Sequence, residues 1–153
     1  VRNVDRLLRK FETAKTCVPA PKIKPASRPT KTGALFFGTT ASPSYEALEI
    51  LEEEGYAIDT LRLRAFPFTR EVEQFLNDHD TVFVIEQNRD GQMRRLLLNE
   101  SNAATREKLV SVLNYDGLPI TARHIAGHIR TRLGGANVTS IARKRSGSAR
   151  SKA

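Results

Sequence analysis

The chain is 153 residues long with a formal net charge of +8, enough for one domain with a proper core plus tails but short for two. The charge sits off the presumed folded body: residues 1–32 hold nine Lys/Arg against two acids, residues 143–153 five against none, and residues 33–142 eleven against fifteen. A specific nucleic-acid binder carries its basic footprint on the folded face, so that class is set aside, and the basic ends are left as non-specific attractors of RNA, membrane phosphates or acidic surfaces.

The chain opens on Val1, and Val1 to Phe11 reads as helix with no capping residue ahead of it. Residues 1–16 are therefore expected to be a helix continuing from a preceding domain of a longer polypeptide. Val4, Leu7, Leu8 and Phe11 recur at spacings of three, one and three, an apolar stripe on a basic helix that ends before Pro19. A helix this short is marginal alone. Packing of the stripe onto the domain behind it is the expectation, with a free partner-binding helix as the alternative. Residues 17–33 carry Pro19, Pro21, Pro25 and Pro29 among small and basic residues, the composition of an extended linker, within which Val18–Lys24 suits an edge strand. Cys17 is the single cysteine. It can form no internal disulfide and cannot supply an iron–sulfur cluster or a structural zinc, each of which takes about four protein ligands, and no basic helix end stands beside it to activate a thiolate.

From Ala34 a regular alternation defines an α/β domain over residues 34–133. Strand Ala34–Gly38 leads to Pro43, suited to a first helical turn, and to a helix burying Ala47, Leu48 and Leu51 and ending at Gly55. Strand Asp59–Arg64 precedes a helix over Thr69–Asn77, with Thr69 as cap and Val72, Phe75 and Leu76 apolar. Strand Thr81–Glu86 is the most apolar and is expected to be central. Helices over Asp90–Asn99 and Ala103–Lys108, strand Leu109–Tyr115, and a helix over Thr121–Arg132 closed by Gly134 and Gly135 complete the unit. Repeated strand–helix units of this length imply a mainly parallel sheet covered on both faces, with a core of Leu35, Phe36, Phe37, Leu61, Leu63, Val82, Phe83, Val84, Ile85, Val110 and Val112. Residues 134–153 turn to Ser, Gly, Ala, Lys and Arg and are expected to be a disordered basic tail. Apolar runs such as Val82–Ile85 are far too short to span a bilayer and no leader pattern opens the chain, so the cytoplasm is the expected compartment.

Functional residues in such a sheet gather past the carboxyl ends of the strands. Gly38-Thr39-Thr40-Ala41-Ser42 joins a strand to a helix N-terminus and could meet a phosphate or carboxylate, but it lacks a P-loop lysine and the three-glycine dinucleotide spacing. Capping of its own helix is the expected role. Glu86, Gln87, Asn88 and Arg89 leave the apolar strand as four adjacent polar groups. Two readings stand: a contact with a neighbouring subunit, domain or substrate, or Glu86 paired with a local arginine and Asn88 making a turn. A catalytic role ranks below both, since no second titratable group stands beside Glu86 to tune it. His124 and His128 are four apart, a spacing that can hold a metal, but no glutamate lies between them and no third ligand follows, so they are expected at a surface. There is no Ser-His-Asp pattern and no nucleophile elbow.

Four phrases carry a resemblance. They are Arg9-Lys10-Phe11-Glu12-Thr13-Ala14 with Val18-Pro19-Ala20-Pro21; Arg64-Ala65-Phe66-Pro67-Phe68; Glu86-Gln87-Asn88-Arg89-Asp90; and Tyr115-Asp116-Gly117-Leu118-Pro119-Ile120-Thr121-Ala122. In this order, and across about residues 1–132, the chain resembles the carboxy-terminal domain of the α subunit of 2-oxoacid:ferredoxin oxidoreductases, most closely the 2-oxoglutarate type. More loosely it is similar to the carboxy-terminal domain of transketolases and of the β subunit of 2-oxoacid dehydrogenases. The resemblance implies a three-layer α/β/α sandwich, with an edge strand within Val18–Lys24 antiparallel to the rest. It implies a parent enzyme in which a thiamine diphosphate carbanion, with magnesium, decarboxylates the oxo acid, electrons leave through iron–sulfur clusters to ferredoxin, and coenzyme A takes the acyl group. It also implies partners in the remaining α-chain domains and the β subunit. The diphosphate-binding residues and cluster cysteines of the family have no match here, so no catalytic, cofactor-binding or metal residue is assigned and the isolated chain is expected to be inactive. Phe66, Pro67, Phe68, Glu86, Gln87, Asn88 and Arg89 are the interface candidates, two aromatics beside a polar cluster. The rival from another class is a stand-alone α/β module using its basic tails on nucleic acid or an anionic surface.

Overall fold

The computed structural model describes residues 2–101 and 105–147, the last thirteen of them by backbone alone. Helix α1 (Arg2–Cys17) and the three-residue strand β1 (Lys22–Lys24) precede β2 (Thr32–Phe37), a short 3-10 turn (Gly38–Thr40) and α2 (Ala41–Glu53). Then follow β3 (Asp59–Leu63), α3 (Arg70–Asp78), β4 (Thr81–Glu86), α4 (Gln92–Glu100), β5 (Leu109–Leu113) and α5 (Ala122–Gly147). The strands form one sheet in the order β1-β3-β2-β4-β5, with β1 antiparallel to β3 and the other pairs parallel. This is the three-layer sandwich the alternation implied, with the antiparallel edge strand the resemblance added.

The period of two places alternate side chains on opposite faces. Ala34, Phe36, Phe83, Ile85 and Val112 meet Ala47, Leu48 and Leu51 of α2 and Ile125, Ala126 and Ile129 of α5. Leu35, Leu61, Leu63, Val82, Val84 and Leu109 meet Val72, Phe75 and Leu76 of α3 and Leu97 of α4. Gly33 lets α3 close on β2, since a Cβ there would stand 2.8 Å from the Phe75 ring.

Several expectations are corrected. The central strand is β2, because the chain winds from it to β3 on one side and crosses to β4 on the other; the apolar run of β4 reflects helices on both of its faces. Phe37 and Val110 are half-buried rather than core. Thr105 is in 3-10 conformation and residues 106–108 form a turn, while 102–104 lie outside the described residues. Helix α5 passes through Gly134 and Gly135 to Gly147; a glycine inside a helix costs only about 1 kcal/mol and does not by itself stop it. Residues 148–153 of the expected tail lie outside the described residues. No residue of α1 is buried, and its stripe is 50–64% exposed at Val4, Leu7, Leu8 and Phe11, so the expected packing is limited here to an edge contact of Phe11 with Phe66. No helix among the described residues is long and apolar enough to cross a membrane.

Candidate functional site

Strands β3 and β4 both run parallel to β2, so the residues following them emerge at the same edge of the sheet. With β2 between them, the two turns stand two strand spacings apart, about 10 Å.

Glu86 ends β4 with no exposed surface. Its Oε2 accepts the backbone N–H of Met93 and the Asn88 amide, each at 2.8 Å, and its Oε1 accepts the N–H of Arg94 at 3.2 Å. Asn88 Oδ1 accepts the N–H of Gln92 at 3.2 Å. The first three N–H groups of α4 are thereby satisfied. The cap position is Gly91, at φ 60° and without a side chain to offer, and the carboxylate supplied from β4 also carries the charge favoured at a helix N-terminus. Neither earlier reading of Glu86 survives unchanged. It meets Arg94 through that residue's backbone N–H and not its guanidinium, and it has no exposed surface of its own to offer a neighbour. Asn88 does make the turn.

Arg89 and Gln87 face outward. Arg89 is 75% exposed and its Nε donates to Asp90 Oδ1 at 2.8 Å. Gln87 donates to Thr39 Oγ1 at 3.2 Å and accepts the N–H of Ile120 at 2.9 Å, tying the turn after β2 to the segment before α5. Around this tie lies an open cleft of about 990 Å³ lined by residues including Thr39, Ser42, Glu46, Leu118 and Arg123. It sits where the winding direction reverses about β2, the crevice that open α/β sheets form. Within the loop itself, Phe37 N–H donates to Thr40 Oγ1 at 3.2 Å and the Thr40 hydroxyl donates to Phe37 O at 2.6 Å. Thr40 thus serves the turn itself, and although it stands at the N-cap of α2 its side chain makes no cap bond to that helix, which corrects the capping expectation.

Past β3, Pro67 is buried behind a cis peptide bond from Phe66. Phe68 is half-buried against the α3/α4 core, and Phe66 is 42% exposed. Phe66 stacks edge-on with Phe68 (5.3 Å between centroids) and with Phe11 of α1 (6.4 Å). An apolar path therefore runs from the exposed stripe of α1 through Phe66 to the core.

His124 and His128 lie with ring centroids 4.5 Å apart. His124 Nε2–H donates to Leu113 O at 3.0 Å. Partial desolvation, and then the nearby His124, hold His128 below the usual imidazole range. Among the described residues no grouping of three or more His, Cys, Asp or Glu could hold a metal. One buried cluster escaped sequence reasoning: His79 sets Nδ1 2.7 Å from Phe75 O and Nε2 3.1 Å from Asp59 Oδ2, while Asp59 Oδ1 accepts the N–H of Ala26 at 2.7 Å. Only a histidine closing an amphipathic helix hinted at it.

No protein-family model matches the chain. The chain is 32% identical over 96 residues, 61% of its length, to 2-oxoacid:ferredoxin oxidoreductase 2, subunit alpha, from Aeropyrum pernix. It spans 14% of that curated relative. Its fold is similar to a part of 2-oxoglutarate:ferredoxin oxidoreductase from Magnetococcus marinus, solved with 2-oxoglutarate, coenzyme A and succinyl-CoA bound. The TM-score there is 0.68 at 19% identity, over 78% of this chain and 21% of that one. The resemblance carried by the four phrases is thus borne out in sequence, and the fold it implied is borne out in structure.

Proposed function

We propose that this chain is the carboxy-terminal, non-catalytic domain of the α subunit of a 2-oxoacid:ferredoxin oxidoreductase of the 2-oxoglutarate type, acting in the cytoplasm. The observation that carries the proposal is the 32% identity over 96 residues to such an α subunit. The parent reaction draws on thiamine diphosphate with magnesium for decarboxylation, on iron–sulfur clusters for the electrons passed to ferredoxin, and on coenzyme A as acyl acceptor. The residues of this chain do not fit the clusters, since one cysteine stands where about four ligands are needed, and among the described residues no group of three or more His, Cys, Asp or Glu could hold a metal. Its own contribution is to present surface. The exposed stripe of α1 with Phe66 is covered by the rest of the α chain, and Pro67, Phe68, Gln87, Asn88 and Arg89 shape the edge that meets the neighbouring domain or the β subunit. Glu86 holds that edge in place from behind.

Co-expression of the chain with a thiamine-dependent β subunit and the remainder of the α chain tests the proposal. A complex that survives purification, and that Arg89→Ala weakens while leaving the fold intact, is expected. Failure of the wild-type chain to enter any such complex contradicts it. So does stoichiometric binding of thiamine diphosphate by the chain alone in calorimetry.

A further inference from the structure

Sheets with open edges invite a further strand, and proteins protect such edges with short strands, lysines, proline or covering groups. Here β1 protects its side by length and composition, being three residues with Lys22 and Lys24 between Pro21 and Pro25. The other edge, β5, is five residues of Leu-Val-Ser-Val-Leu with no charge of its own. By composition it is an association hazard.

The register shows which groups of β5 face outward. Val82 N–H donates to Lys108 O at 2.8 Å and Asn114 N–H to Glu86 O at 3.1 Å, with Val82 opposite Leu109 and Glu86 opposite Leu113. In a parallel ladder that phase turns the N–H and C=O of residues 108, 110, 112 and 114 toward β4, and those of Leu109, Ser111 and Leu113 outward. Two of these three outward carbonyls meet side chains. Arg94 Nε–H, reaching from α4, donates to Leu109 O at 2.9 Å, and His124 Nε2–H, reaching from α5, donates to Leu113 O at 3.0 Å. The donors come from helices on opposite faces of the sheet and straddle the edge at its two ends.

We propose that Arg94 and His124 are edge guards, which occupy the outward carbonyls of β5 and stand in the path of an incoming strand, so that the sheet ends at β5 instead of continuing into a second copy of the chain. The role is independent of the function proposed above, because it concerns only how the free edge is kept closed.

The test is the double variant Arg94→Ala/His124→Ala, compared with wild type by sedimentation velocity across a concentration series, with circular dichroism as the check on folding. The expected result is a folded variant whose weight-average mass rises with concentration to at least that of a dimer, beyond anything wild type shows. Adding Ser111→Pro removes an outward N–H without breaking a bond to β4 and should return the variant to wild-type behaviour. Should the double variant fold poorly, the conservative pair Arg94→Lys/His124→Gln keeps a donor at each site and should behave as wild type, while either alanine replacement alone should associate more than its conservative counterpart. A folded double variant that associates no more than wild type overturns the proposal, as does association that Ser111→Pro leaves untouched or conservative variants that associate as strongly as the alanine ones.

Discussion

A carboxylate with no exposed surface, serving three donors at once, is a costly group to disturb. Glu86→Gln keeps the shape but turns an amide N–H₂ toward one of the α4 N–H groups. It should destabilise the domain by about 1–3 kcal/mol, read as a shift in the urea midpoint with unchanged slope; an unshifted midpoint would show that the cap contributes nothing. The capping role could not be read from the sequence, because the carboxylate lies five residues before Gly91 and belongs to a strand, whereas local capping signals sit at the cap itself. What the sequence did show was the place, since four polar residues leaving an apolar strand mark a turn where open sheets concentrate their contacts. The Asp59–His79 contact joins β3 to the end of α3, and through Ala26 to the linker. In a double-mutant cycle of Asp59→Ala and His79→Ala, a coupling of about 0.5–3 kcal/mol is expected, and strict additivity would remove the contact from the account. Neither residue stood out in the sequence, because their partnership spans twenty positions and depends on the fold.

At the scale of elements, period-two and period-3.6 apolar patterns located β2 to β5 and helices α2 to α4 within a residue or two at most ends. The errors have a common origin. Strand order within a sheet is a property of crossovers, so β4 could be recognised as interior but not ranked against β2. The stop at Gly134 rested on a weak local preference, which tertiary context overrides. The stripe of α1 was legible as amphipathic but its exposure was not, because an apolar period marks a helix face and not the surface that meets it. Helix α5 carries one pH-dependent element. Since His128 has a lower pKa in the folded chain than its ordinary 6.5, the unfolded chain binds more protons, and stability falls as pH drops through that value. His128→Asn removes this contribution. The melting temperature of wild type should therefore fall more than that of the variant between about pH 7.5 and 5.5, and equal falls would show that neither partial desolvation nor the nearby His124 perturbs His128.

For the whole molecule, the basic ends mislead and the acidic body informs. Net charge taken over 153 residues points to nucleic acid, whereas its distribution points to a folded unit of another kind with charged extensions. Two core faces around five strands make the domain self-supporting, while the exposed helix α1, the Phe11–Phe66 contact and the outward Arg89 all present surface suited to a larger assembly. The central claim is that this assembly is a 2-oxoacid:ferredoxin oxidoreductase. It is tested most directly by assembling the parent α chain with its β subunit, with and without these 153 residues, and measuring coenzyme A-dependent reduction of ferredoxin by 2-oxoglutarate. The account predicts turnover from the complete complex and loss of assembly and turnover without the domain; full assembly and turnover in its absence would contradict it.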